Sequence, residues 1–506
     1  MQISSGLEKA LADLPSGYRL VEGWGMVSGA YSRIVQPETV EQLQAVMRAC
    51  QAEGVLMTLR GSGCSYGDAS HTQAVEARQT LVLDLTRLNR ILDFDRFAQG
   101  PDGKPAGYAN VQGGVTFGQL WKHILPQGHW PRVVPGTMQP TLAGAASMNV
   151  HGKNNFRVGA MGANIRALDV VLPSGELRTL RPGDDLFRAV IGGMGLLGCI
   201  TRLEMRTQPV NSGNVAVRGV SASSVGDMME TMSDHEDSAY YAVGWMDCFA
   251  KGKALGRGLV HLARHLDAGE DTEPDQTCAV SYQELPGSIL GFPKNEVWRP
   301  LRILNRDLGM RNLNRLKHWM GKRETKKGEY LQSHAGFNFL LDFVPNWKFA
   351  YGRKHGTGLI QYQPFLPDDT AQGVFEELLR LCQERGFVSY LGVLKRHQPD
   401  DFLLTHALDG WSLAMDFKVT PKNRGRLWDL CDAMTQVVLK GGGRFYFAKD
   451  LVLGPGALRR AFDKESVEKF LEHKREVDPK NLMQSDLYRR VLEPYNAPVD
   501  LPLTNF

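Results

Sequence analysis

Arg60-Gly-Ser-Gly-Cys-Ser-Tyr-Gly-Asp68 is a glycine-rich stretch that directly follows the short apolar run Val55 to Leu59. Two further small-residue loops, Pro135-Gly-Thr137 and His151-Gly-Lys-Asn154, lie in the same third of the chain. Glycines beside hydroxyl or amide side chains let backbone N–H groups approach phosphate oxygens without a Cβ in the way. One such loop is typical of an ordinary turn, whereas three close together predict a single large anionic cofactor.

The composition is that of an ordinary soluble globular protein, with 42% hydrophobic and 23% charged residues. At 506 residues the chain is too long for one hydrophobic core, so we expect about two to four domains. The formal net charge of +4 excludes a polyanion binder of the histone kind. Any basic partner site must therefore be local.

The seven cysteines are scattered and form no C-x-x-C pair. This pattern argues against a disulfide framework or a structural zinc site, so we expect no metal and a reducing compartment. The first residues lack the basic and apolar regions of a secretory signal, and no run of about 18 apolar residues follows. We therefore predict a cytoplasmic protein without a transmembrane helix.

The N-terminal part, residues 1–210, is predicted to be an α+β domain. Thr39 to Glu53 has helical spacing of apolar residues, and Thr116 to Ile124 is a second predicted helix. Strands are predicted at Val55 to Leu59, Thr80 to Asp84, Tyr108 to Gln112 and Ala167 to Leu172. Glycine-loop chemistry then stops, and residues 211–443 are predicted to form a second domain of amphipathic helices and strands.

Gly193-Met-Gly195-Leu-Leu-Gly198 matches the G-x-G-x-x-G fingerprint of NAD-binding proteins, but its context does not. It follows the helical Asp185 to Ile191 and runs into the strand-like Cys199 to Met205, which is the reverse of the required order. From the residues alone we interpret it as a tight turn between helix and strand.

Two positions carry candidate catalytic groups. His151-Gly-Lys-Asn154 offers an imidazole, an ammonium and an amide within four residues, which suits combined proton and phosphate chemistry. Lys449 lies in Tyr446-Phe-Ala-Lys-Asp450, where partial desolvation would lower its pKa and make it a base or an anchor for an oxyanion. The alternatives are a structural histidine and a surface ion pair between Lys449 and Asp450.

The segment from Trp298 to Lys327 contains ten Lys or Arg residues against two acids, interleaved with leucines and tryptophans. This pattern predicts contact with an anionic membrane surface, to which each cation adds about 1 kcal/mol. A solvated helix packed on the domain is the alternative. Nucleic acid is not expected, because no DNA- or RNA-binding motif accompanies the segment.

The loops resemble the FAD cradle of the vanillyl-alcohol-oxidase-type flavoproteins. His151-Gly-Lys-Asn154, Gln361-Tyr-Gln363 and Tyr446-Phe-Ala-Lys-Asp450 further resemble motifs of the narrower group of decaprenylphosphoryl-ribose oxidases, and the likeness runs from Gly23-Trp-Gly25 to Val477-Asp-Pro479. It implies an α+β fold with a two-part PCMH-type FAD-binding domain, which residues 444–506 return to complete. The substrate domain is then expected to be built on an antiparallel sheet flanked by helices.

The resemblance also implies roles for individual residues. Catalytic roles fall on Tyr66, His151 and Lys449, and substrate contacts on Lys153, Gln361, Gln363, Lys395 and Lys449. Strand alternation would place Gln361 and Gln363 on one face, although a solvated strand face is the alternative. Cofactor contacts are implied for Gly61, Gly63, Cys64, Ser65, Tyr66, Gly136, Thr137, Thr141, Gly144, Asn154, Gly195, Ile200 and Tyr446.

The sequence departs from the resembled group at three positions. Cys64 replaces an arginine, Ala143 the first glycine of a pair, and Ala414 a cysteine. Relatives with a covalently attached flavin carry histidine at the position of Cys64, whereas the decaprenylphosphoryl-ribose oxidases have no such bond, so we expect non-covalent FAD. The departures at positions 64 and 414 leave the lipid substrate open, because pocket-lining residues set specificity.

The activity implied is oxidation of a secondary alcohol of a lipid-linked sugar phosphate to a keto-sugar. A partner short-chain dehydrogenase would then reduce the product, which completes an epimerisation. The implied location is the cytoplasm at the inner face of the membrane, with contact through residues 298–327. The alternatives are a soluble sugar-alcohol or aldonolactone oxidase that uses oxygen, and a flavin- or lipid-binding module without turnover.

Overall fold

The computed structural model describes residues 5–73, 79–289, 291–497 and 501–504. The first sheet has the strand order β1-β2-β4-β3, with β1 antiparallel to β2 and the other pairs parallel. Its strands are β1 Ser16–Glu22, β2 Gly29–Val35, β3 Leu56–Arg60 and β4 Thr80–Asp84. The first glycine loop begins where β3 ends.

Helix α2, Val40–Glu53, covers this sheet and begins and ends as its sequence predicts. The Thr39 side chain accepts a hydrogen bond from the Gln42 N–H, and the Gln42 side chain accepts one from the Thr39 N–H. Gly54 ends the helix with a left-handed φ of 71°, a conformation that glycine adopts without a Cβ penalty. The buried face of α2 then packs on the apolar side chains of β3 and β4.

The second sheet is antiparallel, in the order β5-β6-β10-β8-β9, with β7 also paired to β10. The predicted helix at Thr116 to Ile124 is confirmed as α3, with Thr116 as its N-cap. The predicted strands of this region are confirmed as β6, β8 and β10. The strands are β5 Ile91–Asp95, β6 Gly107–Gln112, β7 His129–Pro131, β8 Ile165–Val171, β9 Leu177–Leu180 and β10 Cys199–Pro209.

The third sheet is antiparallel, in the order β16-β11-β13-β12-β19-β20-β18-β21, with β17 also paired to β20. Helices α7, α12 and α13 cover one face of it and share its apolar core. Strands β14 and β15 form a separate hairpin. The strands are β11 Asn214–Ala222, β12 Tyr241–Met246, β13 Gly258–His265, β14 Ser288–Ile289, β15 Phe292–Pro293, β16 Glu329–Ser333, β17 Gly358–Tyr362, β18 Pro364–Pro367, β19 Gly392–His397, β20 Gly410–Val419 and β21 Arg444–Phe445.

The helices connect and flank these sheets, and the predicted α+β fold class with an antiparallel substrate-side sheet is confirmed. Among the described residues, no helix is long and apolar enough to cross a membrane. The helices are α1 Ser5–Leu11, α2 Val40–Glu53, α3 Phe117–Ile124, α4 Leu142–Ser147, α5 Asn155–Val158, α6 Asp185–Val190, α7 Val225–Ser233, α8 Pro274–Thr277, α9 Trp298–Leu304, α10 Asp307–Glu324, α11 His334–Asn338, α12 Asp368–Glu384, α13 Arg424–Lys440, α14 Pro455–Ala461 and α15 Lys464–Val477.

The C-terminal segment contacts the first sheet and the first glycine loop. The Met57 N–H donates to the Leu482 carbonyl over 2.7 Å, which adds the segment to the edge at β3. The buried Arg490 guanidinium binds Asp68 of the glycine loop and lies 2.9 Å from the Asp450 carboxylate. These contacts agree with a C-terminal return, while the exact domain boundaries at 210 and 443 stay a prediction.

Candidate active site

A cavity of about 700 Å³ lies between the glycine loops and the third sheet. This volume is within the range of about 300–1,000 Å³ that small-molecule and cofactor sites occupy. On the sheet side, cross-strand pairing puts Trp245, Val393 and Ala414 in one row along the wall. The face of the third sheet opposite the covering helices therefore forms one wall of the cavity.

The first glycine loop needs its glycines at two points. A Cβ on Gly61 would lie 2.2 Å from the Thr141 hydroxyl oxygen, so only glycine lets the first loop meet the N-terminus of α4. Gly63 has a φ of +69°, and a Cβ there would lie 2.1 Å from the Arg60 guanidinium. The loop therefore presents backbone and the Arg60 cation to the cavity, which suits a diphosphate.

The second loop, Pro135-Gly-Thr137, is held from the opposite side by the segment that follows α11. The Asp342 carboxylate accepts hydrogen bonds from the Thr137 hydroxyl and from the Met138 N–H, both over 2.7 Å. The Leu341 N–H donates to the Gly136 carbonyl over 3.1 Å. Burial raises the pKa of Asp342, while these two hydrogen bonds oppose that change. The loop is thus fixed before any ligand binds.

The predicted cofactor residues meet at this cavity with one exception. Asn154 does not line it, because its side-chain amide donates to the Arg132 carbonyl over 2.9 Å instead. The Gly193 to Gly198 turn contributes Gly195, which has a left-handed φ of +74°. The residues of the set that line the cavity are Gly61, Gly63, Cys64, Ser65, Tyr66, Gly136, Thr137, Thr141, Gly144, Gly195, Ile200 and Tyr446.

His151 is buried in a cluster of rings beside the cavity. Its Nε2 lies 3.1 Å from the Gln363 amide nitrogen, and its ring meets His397 edge to face at 4.9 Å. Burial, followed by the nearby charge of Lys395, holds the pKa of His151 well below its usual value. His151 is therefore neutral at pH 7, and Gln363 selects which ring nitrogen carries the proton.

Lys153 lies on the cavity wall, and its amine contacts residues 337 and 338. Its Nζ donates to the Phe337 carbonyl and, over 3.2 Å, to the Asn338 carbonyl, and it lies 4.4 Å from the Phe337 ring centroid. Burial, followed by the charge of Lys395, keeps the pKa of Lys153 well below 10.5. The neighbouring carbonyls and ring compensate for part of the lost hydration.

Lys449 and Lys395 form the titratable centre of the site. The Lys449 Nζ lies 3.9 Å from the centroid of the Tyr66 ring. Burial lowers the pKa of Lys449 to about 8, and burial together with the charge of Lys449 lowers the pKa of Lys395 to about 7. Both amines therefore exchange protons near neutral pH, which a general base requires. Tyr66 stays protonated, because burial raises its pKa well above 10.

Asp416 is a member of this site that the sequence reasoning missed. It lies on β20 opposite Gln361, whose amide donates to its Oδ1 over 2.7 Å. Burial raises the pKa of Asp416 to about 7, against the opposing effects of Gln361 and Lys449. A carboxylate between the apolar residues Met415 and Phe417 of a strand was a signal that could have found it.

The comparisons with known proteins agree with this geometry. Residues 31–181 match the model of a family described as an FAD binding domain. Over 491 residues the chain is 28% identical to a decaprenylphosphoryl-β-D-ribose oxidase of Mycolicibacterium smegmatis, which covers 95% of this chain and 98% of that protein. It is also 30% identical over 182 residues to an L-gulono-1,4-lactone dehydrogenase of Mycobacterium tuberculosis, covering 36% of this chain and 39% of that protein.

A third relative, a putative D-arabinono-1,4-lactone oxidase of Neurospora crassa, is 28% identical over 180 residues, 35% of this chain and 30% of the relative. Glycine loops, a cavity of suitable size and a matching domain model together define an FAD-dependent oxidoreductase. Within that class, residues 31–181 resemble an FAD binding domain, and the chain is similar along nearly its whole length to a decaprenylphosphoryl-β-D-ribose oxidase.

Proposed function

We propose that this protein oxidises a secondary alcohol of a polyprenyl-phosphate-linked sugar to a keto-sugar. The observation that carries the proposal is the meeting of Lys153, Lys395 and Lys449 in one cavity beside the cofactor loops. FAD, when bound, would accept the hydride from the carbinol carbon. The same cavity offers amines for the hydroxyl proton and for a phosphate, which is the chemistry that such a substrate needs.

In this proposal the Lys449 Nζ takes the proton of the substrate hydroxyl. Its lowered pKa gives it a neutral fraction near pH 7 that an ordinary lysine lacks. The Tyr66 ring below the Nζ restricts where the amine can lie. Neutral His151 and protonated Tyr66 then act as hydrogen-bonding groups that orient the sugar, since neither changes its charge near pH 7.

Lys153 and Lys395 would bind the anionic part of the substrate. Lys395 makes no hydrogen bond or ion pair within the described part of the chain, so its amine is available to a ligand. An entering phosphate would favour the protonated forms of both amines and raise their pKa values. Phosphate recognition and proton acceptance are thereby divided between different lysines.

A soluble lactone or sugar-alcohol oxidase is the second candidate, supported by the likeness to lactone-oxidising relatives. That likeness covers about a third of this chain, against 95% for the decaprenylphosphoryl-ribose oxidase. Anaerobic flavin reduction distinguishes the two candidates, with farnesylphosphoryl-β-D-ribose and L-gulono-1,4-lactone as substrates. Faster bleaching by the lactone would contradict the proposal.

Lys449→Ala tests the residue role. We expect the variant to keep its FAD and to lose flavin reduction by the sugar phosphate, because the proton acceptor is gone. Lys422→Ala is the matched control, since Lys422 is exposed and does not line the cavity. Normal turnover by Lys449→Ala would show that Lys449 is not the proton acceptor.

We further propose that FAD is held without a covalent bond. Cys64 is the candidate attachment point, but burial raises the pKa of its thiol and so disfavours the reactive thiolate. Acid precipitation of the holoprotein should release the yellow flavin into the supernatant. Colour retained in the pellet that disappears in Cys64→Ser would instead establish a bond at this position.

The keto-sugar product would suit a short-chain dehydrogenase, which would reduce it and complete the epimerisation. The test is a coupled reaction with a candidate dehydrogenase and a reduced nicotinamide cofactor. We expect an epimeric sugar phosphate to accumulate only when both enzymes are present. Accumulation of the keto-sugar alone in the presence of candidate dehydrogenases would count against this partner.

Helices α9 and α10 are proposed to contact an anionic membrane from which the lipid-linked substrate is drawn. Successive residues of a helix are about 100° apart, so Leu308, Leu316 and Trp319 lie opposite the face of α10 that packs on the third sheet. They are 74%, 51% and 50% exposed, respectively. The two helices and the N-cap of α10 carry cations at Arg299, Arg302, Arg306, Arg311, Arg315, Lys322 and Arg323.

Vesicle flotation tests the membrane contact. The holoenzyme should float with phosphatidylglycerol vesicles and remain unbound with phosphatidylcholine alone, and high salt should weaken the binding. Leu308→Glu with Trp319→Glu should reduce the bound fraction about tenfold, because two apolar anchors are lost and two negative charges are added that an anionic surface repels. Equal changes at Leu92 and Phe97, which are exposed elsewhere, provide the control. Unchanged flotation of the α10 variant would contradict membrane contact through these residues.

A further inference from the structure

Lys317 belongs to the surface helix α10 and also lines the cavity. The helix packs on the sheet through Asn314, His318 and Gly321, and a Cβ on Gly321 would lie 2.2 Å from the Leu259 side chain. Lys317 lies at the edge of that buried seam, one position before His318. Because α10 approaches the sheet so closely, the Lys317 side chain reaches the wall of the cavity.

The surroundings of Lys317 suit an anion. Its Nζ lies 4.3 Å from the Trp245 ring centroid, and Trp245 itself lines the cavity. Within the described part of the chain Lys317 has no carboxylate partner. A cation beside an aromatic wall without an opposing acid is available to a phosphate.

His261 is a neighbour of both Lys317 and Lys153. It lines the same cavity, and burial lowers its pKa to about 4, helped by the charge of Lys317 and then of Lys153. The imidazole therefore stays neutral and adds no charge of its own. Both lysines act on one histidine, which puts them on a common stretch of the wall.

We propose that Lys317 is a further phosphate-binding residue, which meets the lipid phosphate where α10 borders the cavity. The inference rests on the proposed function, because it assumes a lipid phosphate as part of the substrate. Lys317 belongs to the helix whose opposite face is apolar and exposed. Selection for a phosphate would then occur at the helix that is proposed to meet the membrane.

The test compares farnesyl phosphate with farnesol by isothermal titration into the FAD-loaded enzyme. Lys317→Met should weaken farnesyl phosphate binding about tenfold, because a charge-assisted hydrogen bond is lost, and leave farnesol within about twofold. Lys317→Arg should retain most of the affinity for farnesyl phosphate. Lys422→Met is the control, since Lys422 is exposed and does not line the cavity.

Each alternative gives a different result. Equal losses for farnesyl phosphate and farnesol in Lys317→Met would mean that Lys317 only holds α10 against Trp245, and would overturn the inference. An unchanged affinity for both ligands would overturn it as well. If the wild-type enzyme does not prefer farnesyl phosphate to farnesol, the proposed substrate class itself fails, whatever Lys317 does. Flavin absorbance at equal protein concentration shows that each variant is folded.

Discussion

Lys449→Met is expected to stabilise the folded holoprotein while it removes turnover. The wild-type lysine lies in a site that lowers its pKa from 10.5 to about 8. Since one pKa unit equals about 1.36 kcal/mol, the charged amine costs about 3 kcal/mol of folding free energy near neutral pH. Losing the contact between the ammonium and the Tyr66 ring destabilises the variant by about 1 kcal/mol, which offsets part of this gain. Methionine keeps the apolar stem, so the net gain is about 2 kcal/mol.

The sign of the pH dependence follows from the same shift. Between pH 8 and 10.5 the unfolded chain binds more protons at Lys449 than the folded chain does, so wild-type stability rises with pH there. Lys449→Met lacks this group and shows no such rise. The difference in unfolding free energy between the variant and the wild type should be largest below about pH 8. Above that pH it should shrink by about 1.4 kcal/mol per pH unit.

Thermal unfolding by tryptophan fluorescence, with saturating FAD in every sample, measures the difference. For a chain of this size about 2 kcal/mol corresponds to a Tm increase of about 2 °C. Lys422→Met, at an exposed position, should leave the Tm within about 1 °C. A Tm of Lys449→Met at or below that of the wild type near neutral pH would refute the reasoning about desolvation.

Three other predictions test the cradle and its supports. Gly61→Ala should weaken FAD binding at least about tenfold, measured by flavin retained on desalting, because its Cβ would collide with the Thr141 hydroxyl. Arg490→Met should lower the free energy of unfolding by about 3 to 5 kcal/mol in urea, because it leaves two buried carboxylates without their cation. Asp416→Asn removes a negative charge that raises the pKa of Lys449, so the rising limb of the pH–rate profile should move to lower pH.

Matched changes elsewhere separate these effects from general damage. Gly373→Ala adds a methyl group where no atom lies within 4 Å, so FAD retention should be unaffected. Arg380→Met removes an exposed helix ion pair with Glu376 and should cost under about 1 kcal/mol. The explanation for Gly61 would be contradicted by full FAD retention in Gly61→Ala. Wild-type stability of Arg490→Met would contradict the explanation for Arg490. An unchanged rising limb of the pH–rate profile in Asp416→Asn would contradict the explanation for Asp416.

Local signals predicted the elements around the site well. The capping pairs of α2 and α3 and the strand that precedes the first glycine loop depend on neighbouring residues, so they are readable without tertiary contacts. The position of Lys449 depends on a tertiary contact, because β21 ends at Phe445 and Lys449 follows in a turn. That turn brings Lys449 over Tyr66, some 380 positions earlier in the chain.

The predicted amphipathic segment at Trp298 to Lys327 shows the limit of periodicity. Its pattern predicted a basic helix with an apolar face, and α9 and α10 are helical. The pattern could not show which face meets the protein, and the sheet contact is made by the polar and small Asn314, His318 and Gly321. Leu308, Leu316 and Trp319 of α10 are consequently left exposed, whereas Trp298 of α9 is buried.

The α+β class and the glycine loops for a large anionic cofactor were predictable from sequence, because glycine spacing, caps and strand alternation act over a few residues, whereas FAD was implied by the family resemblance. Tertiary structure alone decided which charged groups share a cavity. Lys317, Lys395 and Lys449 line it from separate elements, and burial lowers the pKa of each. Asn154 turned toward Arg132 for the same reason, since packing sets the direction of a side chain.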